Sequence, residues 1–153
     1  MFGKSKKTMP LESTILAGDI KQVRHSLESG TDANQPISDE RGGYPLHFAV
    51  NSGVEIIQML IDYGADMNVK DAKGRTPLHI VATGRPSIEK MELLIEHGAD
   101  VNAVDDEGKT PLAYVLQGTP VNSFFATLGV LPDEEETAGR SKAAEFLRAH
   151  GAK

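Results

Sequence analysis

The feature that most constrains the fold of this chain is a five-residue segment that returns at a fixed interval. Gly-Thr-Asp-Ala-Asn at 30–34 recurs as Gly-Ala-Asp-Met-Asn at 64–68 and as Gly-Ala-Asp-Val-Asn at 98–102, so that both steps are 34 residues. A fixed period in the thirties indicates one supersecondary unit that is stacked several times, because such a unit buries its apolar face only against its neighbours. The sequence therefore predicts a repeat array with a long open surface.

Within a repeat, the sequence predicts a tight turn followed by two short helices. In the third repeat Asp71 stands three residues before Gly74, which supplies a positive φ at no steric cost. Thr76 is then predicted to cap the first helix by accepting a hydrogen bond from a free helical N–H, and Pro77 suits the first helical position. The second helix is predicted to end before Gly98, which fits the position just after a helix.

The domain organisation follows from the same spacing. The first repeat contains only two predicted helices, around 11–17 and 20–28, and is typical of an N-terminal cap. The basic N-terminal residues 1–10 are predicted to be disordered. The predicted divisions are a tail at 1–10 and a repeat domain at 11–153, made of a cap at 11–34, repeats at 35–68 and 69–102, and a C-terminal repeat at 103–153 with an insertion at about 118–140.

Two paired motifs carry a family resemblance. They are Thr-Pro-Leu-His at 76–79 with Tyr-Pro-Leu-His at 44–47, and Gly-Ala-Asp-x-Asn at 64–68 and 98–102. They resemble the ankyrin repeat, and the match covers about 11–118 and 141–153. The resemblance implies an all-α ankyrin-repeat solenoid of about four helix-turn-helix units, with projecting β-turns and a concave face that binds another protein. It also implies that His47 and His79 hydrogen-bond to loop backbone between repeats.

Several positions depart from that pattern. Tyr44 replaces the capping Thr, so the first helix of its repeat is expected to lack a side-chain cap worth about 1 kcal/mol. Ala113 stands where the two earlier repeats have His, so the bond made by that His is expected to be missing. The loop at 35–38 makes the second repeat's approach to its first helix two residues longer than in the third repeat.

The largest departure is the insertion. Thr110 and Gly151 are 41 residues apart, whereas Tyr44 and Gly64 are 20 apart. A loop longer than about 12–15 residues is uncommon without a role or a structure of its own. The insertion contains Phe124 and Phe125, which either cover the core of the last repeat or contact a partner, and it ends in acidic residues that favour the start of a helix.

Composition excludes several classes of function. The chain has 22 acidic and 16 basic residues, which argues against a nucleic-acid binder. It has no cysteine, which excludes disulfides, thiolate catalysis and cysteine-based zinc sites. No apolar stretch approaches the ~20 residues of a membrane span, and the N-terminus lacks the apolar core of a secretory signal. We therefore expect a cytoplasmic protein that does not bind membranes.

The sequence offers no candidate catalytic residue, cofactor or metal ligand. It has no Gly-x-Ser-x-Gly elbow and no phosphate-binding Gly-x-x-x-x-Gly-Lys-Ser/Thr loop. No histidine has an acidic or histidine neighbour at metal-ligand spacing, and His97 and His150 suit exposed helix ends. The sequence predicts that the protein is not an enzyme; an enzyme would need a pocket between the insertion and the fourth repeat.

These observations predict an adaptor or inhibitor that binds a folded protein through its concave face and its turn tips. Two alternatives remain: a self-assembling structural protein that forms a homo-oligomer through the insertion, and an immunity- or antitoxin-type inhibitor of an enzyme. For the charged turn residues, ordinary solubility is also an open explanation. The predicted partner-binding residues are Glu40, Arg41, Asn51, Ser52, Ala72, Lys73, Arg75, Thr83, Asp106, Glu107, Lys109, Gln117, Phe124 and Phe125.

Overall fold

The computed structural model describes residues 9–37, 42–83, 85–117 and 134–153. Within these ranges the chain forms eight α-helices and no β-strand, which confirms the all-α prediction for this part of the chain. The chain divides into two compact modules. We call Met1–Asp66 the N-terminal module and Met67–Lys153 the C-terminal module.

The N-terminal module contains two helix pairs: α1 (Leu11–Leu16) with α2 (Ile20–Glu28), and α3 (Pro45–Ala49) with α4 (Val54–Asp62). Helix α1 packs against α2 and α3, and α4 packs against the same two helices. The N–H of Gln22 donates to the Asp19 carboxylate at 3.1 Å, which caps the start of α2. The two helices predicted around 11–17 and 20–28 are confirmed to within one residue.

The C-terminal module also contains two helix pairs: α5 (Pro77–Ala82) with α6 (Ile88–Glu96), and α7 (Pro111–Gln117) with α8 (Glu134–Ala149). Helix α5 packs against α6 and α7, and α8 packs against the same two helices. Helix α8 has 16 residues, whereas α6 has nine. Helix α8 begins at Glu134, which confirms the helix start predicted from the acidic residues at the end of the insertion, and 118–133 lie outside the described residues.

Leucines at equivalent positions fill the core of both modules. Leu60, Leu94 and Leu147 each stand four residues before a glycine that ends a repeat, and all three are fully buried. Full burial of a leucine side chain contributes about 1.5–3 kcal/mol relative to leaving it in water. The apolar spacing read from the sequence therefore identifies the core-facing side of these helices correctly.

The last residue of the recurring five-residue segment joins successive repeats. The side-chain amide of Asn34 donates to the Gly64 carbonyl at 2.9 Å, and its oxygen accepts from the Asp66 N–H at 2.8 Å. Asn68 makes the same pair of bonds to Gly98 and Asp100 at the same distances. The period of the segment thus reflects a contact between each asparagine and the end of the next repeat.

The same contact persists across the insertion. The Asn102 amide donates to the Gly151 carbonyl at 3.0 Å, and its oxygen accepts from the Lys153 N–H at 3.0 Å. These partners are 49 and 51 residues away along the chain, against 30 and 32 for the earlier asparagines. The insertion therefore lengthens the fourth repeat without changing how its end is attached to the third.

Candidate functional site

Two turns in the C-terminal module share one hydrogen-bonding plan, and the first of them is Asp71–Arg75. The Asp71 Oδ1 atom accepts from the backbone N–H groups of Lys73 and Arg75, both at 2.9 Å. The Asp71 N–H donates to the Arg75 carbonyl at 3.0 Å and closes the turn. One carboxylate oxygen thus satisfies two backbone donors that a tight turn would otherwise leave unpaired.

The second turn, Asp105–Lys109, repeats this plan. The Asp105 Oδ1 atom accepts from the N–H groups of Glu107 and Lys109, both at 2.9 Å. The Asp105 N–H donates to the Lys109 carbonyl at 3.0 Å. The tight turns predicted from Asp followed three residues later by Gly are therefore confirmed at both sites.

The two turns are in direct contact, and we call them together the turn pair. The Asp106 N–H donates to the Lys73 carbonyl at 3.1 Å. Gly74 has a φ of +72°, and a Cβ atom at this position would stand 2.4 Å from Asp106 Oδ1 and 2.9 Å from its backbone nitrogen. Gly74 is therefore required twice, for its backbone conformation and for the close approach of the neighbouring turn. At Gly108, which has a φ of +76°, a Cβ atom would meet nothing within 4 Å.

The second carboxylate oxygen is used differently in the two turns. Asp71 Oδ2 accepts from the Arg75 guanidinium, at 2.9 Å from Nε and 2.7 Å from Nη2. Burial works against the charge of Asp71, but the bonds from Arg75 and Lys73 outweigh it and hold the pKa of this carboxyl below its ordinary value. Arg75, one of the predicted binding residues, is held to Asp71 within its own turn, and its part in binding stays a prediction.

In the second turn the partner is an aromatic hydroxyl. Tyr114 Oη donates to Asp105 Oδ2 at 2.6 Å. Burial also opposes the charge of Asp105, while the bonds from Tyr114, Lys109 and Glu107 lower its pKa below the ordinary value. Burial and the bond to Asp105 raise the pKa of Tyr114 to about 12.

The buried side chain of His79 is hydrogen-bonded to the second turn of the turn pair. His79 Nε2 lies 2.9 Å from the Lys109 carbonyl oxygen, which accepts only, so Nε2 carries the proton. In the neutral ring Nδ1 then accepts from the Thr76 N–H at 3.1 Å and from the Thr76 hydroxyl at 2.8 Å. Burial lowers the pKa of His79 and favours this neutral form. The role that the family resemblance implies for His79 is confirmed, and the Thr76 hydroxyl bonds to its ring.

The equivalent helix starts show how the departures from the motif are accommodated. Tyr44 makes no side-chain cap bond, as predicted, but its N–H donates to His47 Nδ1 at 3.1 Å. At the start of α7 the Thr110 hydroxyl accepts from the Ala113 N–H at 3.3 Å. Threonine thus caps the helix directly in the repeat that lacks the histidine.

The structure brings four predicted binding residues together at the tips of the turn pair. Ala72 and Lys73 are exposed on the first turn, and Asp106 and Glu107 on the second. Lys109 is half-buried beside Glu107, and the two form an ion pair at 2.5 Å.

Predicted residues at the ends of the first helices occupy varied positions. Thr83 and Gln117 are exposed at the ends of α5 and α7, and the Thr83 hydroxyl donates to the His79 carbonyl at 2.9 Å. In the N-terminal module Asn51 is exposed, but the half-buried Ser52 donates its hydroxyl to the Ile15 carbonyl at 2.9 Å. Ser52 therefore joins α1 to the end of α3.

Four predicted binding residues, Glu40, Arg41, Phe124 and Phe125, lie outside the described residues, so their roles stay predictions. Among the residues that the structure does describe, no group of three or more His, Asp or Glu side chains is placed to hold a metal ion. No helix in the described part of the chain is long and apolar enough to cross a bilayer.

Comparison with known families assigns the repeats. The model of a family described as ankyrin repeats (3 copies) matches residues 11–105 and 46–122. The chain belongs to the ankyrin-repeat family. This assignment and the eight helices support the predicted fold class, an all-α ankyrin-repeat solenoid. Ankyrin repeats generally mediate protein–protein interaction, and ankyrin-repeat proteins are in general non-catalytic interaction modules.

The curated relatives of this ankyrin-repeat chain are matched over parts of their lengths. Rabankyrin-5 of Mus musculus is 34% identical over an alignment of 73 residues that covers 40% of this chain and 6% of that protein. The 2-5A-dependent ribonuclease of Mus musculus is 39% identical over 71 residues, 46% of this chain and 10% of that protein. Protein phosphatase 1 regulatory subunit 27 of Mus musculus is 38% identical over 76 residues, 48% of this chain and 49% of that protein.

Proposed function

We propose that this ankyrin-repeat protein is a non-catalytic adaptor or inhibitor that binds a folded partner protein through its turn tips and concave face. The observation that carries the proposal is the turn pair. Its two turns are each closed by an aspartate and are joined by the bond from the Asp106 N–H to the Lys73 carbonyl. The family supports binding in general, and the turn pair suggests where it occurs.

Rigidity of the turn pair favours recognition. Binding costs free energy wherever a loop must be ordered, so a backbone that is already fixed retains more of the interaction energy. In the turn pair, aspartate oxygens accept hydrogen bonds from four backbone N–H groups, those of Lys73, Arg75, Glu107 and Lys109. The exposed side chains at the tips then meet a partner without first having to order the turn.

The charges at the tips suggest what kind of surface the partner presents. Lys73 is exposed at the tip of the first turn and Asp106 at the tip of the second, whereas Glu107 is paired with Lys109 within the second turn. A partner surface with an acidic group opposite the first turn and a basic group opposite the second would be complementary. Charges at the rim of an interface act mainly on the association rate and its salt dependence.

The experiment is affinity capture from native-cell extract with the full chain, followed by measurement of the captured protein's binding. Ala72→Arg adds bulk at the first tip, and Lys73→Glu reverses its charge. Glu92→Lys is the matched control, since Glu92 is exposed on α6 and is not part of the turn pair. We expect each tip variant to weaken binding at least about tenfold, the equivalent of about 1.4 kcal/mol, and the control to bind like the native chain.

Two results would contradict the proposal: capture of no specific protein, or equal binding by the tip variants and the native chain. Circular dichroism of each variant establishes that the fold is retained. If the captured protein is an enzyme, its activity with and without the chain separates an inhibitor from an adaptor.

A further inference from the structure

We propose that the N-terminal module carries a second docking site, which takes an extended segment of a partner protein in which a bulky apolar residue stands beside a lysine or arginine. The inference rests on the proposed function, because it specifies the partner segment that such an interaction module would accept. It concerns a cleft beside α1 that is formed entirely by residues of the N-terminal module.

The cleft is large enough for one such side chain and its neighbours. Its volume is about 430 Å³, and its walls come from α1, from the start of α3 and from the loop at 31–37. Pockets that bind organic groups in proteins typically have volumes of about 300–1,000 Å³. The cleft is therefore of a size that encloses a leucine, methionine or phenylalanine side chain rather than a whole folded surface.

Two apolar side chains that line the cleft are largely exposed. Met9 is 58% exposed and Leu16 is 63% exposed, and they are two of six large apolar side chains that are exposed within the described residues. Phe48, which is nearly buried, contributes to the inner wall. Clustered apolar exposure of this kind marks interaction sites, since covering each side chain recovers its burial energy.

The opposite wall of the cleft comes from the loop between α2 and α3. Pro36 and Ile37 in this loop line the cleft. The Ile37 N–H donates to the Gly43 carbonyl at 2.8 Å, which fixes the loop against the segment that leads into α3. The loop that precedes α3 therefore forms one side of the cleft.

The charge of the cleft indicates which kind of apolar segment would bind there. Glu12 is the only ionisable side chain among the described residues that line the cleft, and none of the ion pairs in the described ranges involves it. Pro10, Pro36 and Pro45 also line the cleft, and proline has no backbone N–H to donate. The site thus offers one carboxylate acceptor beside the neutral polar side chains of Thr31 and Gln35, and this carboxylate suits the ammonium or guanidinium group of a partner. An acidic segment would place its charge against Glu12.

The test uses the full ¹⁵N-labelled chain and three synthetic peptides, followed by backbone amide chemical shifts. The peptides are acetyl-Gly-Leu-Phe-Arg-Gly-amide, its Arg→Glu counterpart and its Phe→Ala counterpart. We expect saturable shifts at Leu16, Thr31 and Ile37 with the first peptide, and affinity weaker by about fivefold or more with each of the other two, the range of one exposed charge pair or one partly covered apolar side chain.

Two pairs of variants locate the binding. Glu12→Gln is expected to abolish the difference between the Arg and Glu peptides, whereas Glu28→Gln, at the exposed end of α2, is expected to preserve it. Leu16→Ala is expected to weaken the Arg peptide severalfold, whereas Ile20→Ala, also exposed but outside the cleft, is expected to leave it unchanged. Leu16 and Ile20 are both surface residues, so the fold does not depend on either substitution.

The proposal is overturned if the Arg peptide gives no saturable shift at millimolar concentration, if the Arg and Glu peptides bind equally, or if the shifts fall outside the cleft. This outcome is distinct from failure of the proposed function, which is tested at the turn pair in the C-terminal module. If the chain does not bind the Arg peptide but still binds its captured partner protein, only the proposal for the cleft is refuted.

Discussion

The turns Asp71–Arg75 and Asp105–Lys109 have the same backbone and different surroundings. In both, aspartate Oδ1 accepts two backbone N–H groups at 2.9 Å. Oδ2 meets an arginine from the same turn in the first case and a tyrosine from α7 in the second. The aspartate Oδ1 atom and the glycine therefore determine the shape of each turn. The Oδ2 atom determines which side chain bonds to the turn.

The largest difference between the turns is expected from a matched pair of glycine substitutions. Gly108→Ala introduces a Cβ into open space at positive φ, which costs about 1–2 kcal/mol. Gly74→Ala carries the same conformational cost and also forces Asp106 away from the first turn, because its Cβ would stand 2.4 Å from Asp106 Oδ1. We expect Gly74→Ala to cost about 3 kcal/mol in all.

The measurement is urea denaturation of both variants followed by circular dichroism. A larger loss of unfolding free energy for Gly74→Ala supports the close contact between the turns. Equal losses for the two variants would show that the turns move apart at little cost, contrary to the account given above.

The next largest difference is expected between the side chains that bond to the two aspartates, Tyr114 and Arg75. Tyr114→Phe removes the hydroxyl that donates to Asp105 and leaves a buried carboxylate oxygen without this bond, at an expected cost of about 1.5 kcal/mol. Arg75→Gln removes a partly exposed ion pair within one turn and is expected to cost about 0.5 kcal/mol. Denaturation of both variants under identical salt conditions tests this order. A larger loss of unfolding free energy for Arg75→Gln than for Tyr114→Phe would contradict it.

The last effect is confined to alkaline pH. Tyr114 has a pKa of about 12 in the folded chain, above its ordinary value of about 10. Its contribution to stability is therefore complete below about pH 10 and is lost as the pH rises from there toward 12. Ultraviolet absorbance is expected to show a late tyrosine titration in the native chain that is absent from Tyr114→Phe. If the late titration survives in Tyr114→Phe, the Asp105 bond is not its cause.

The sequence predicts the helices well because their signals are local. Apolar spacing and the glycines that end each repeat identify Ile20–Glu28 and Ile88–Glu96 closely, and the family motifs imply the role of His79. The contacts of Asn34, Asn68 and Asn102 join residues 30 or more apart, so spacing alone shows that these asparagines recur but not what they bind. The bond from Tyr114 to Asp105 spans only nine residues, but it belongs to none of the motifs that the sequence displays and is therefore not predicted from it.

The candidate site was predicted less completely than the fold. Exposure at the turn tips follows from the turn motif, and Ala72, Lys73, Asp106 and Glu107 are exposed as predicted. Arg75 and Ser52 were predicted from their places on a turn and at the end of a first helix, and the structure adds that their side chains bond within the chain. Polarity in a sequence does not distinguish a side chain that awaits a partner from one that already has an internal partner.

The most direct test of the central claim is amide hydrogen exchange at Asp106 in the native chain. The claim is that the two turns form one rigid surface, joined by the bond from the Asp106 N–H to the Lys73 carbonyl. The account predicts that the Asp106 amide is protected although its side chain is exposed, and that Gly74→Ala removes this protection while Gly108→Ala largely retains it. Exchange of the Asp106 amide at the rate of an unstructured peptide in the native chain would contradict it.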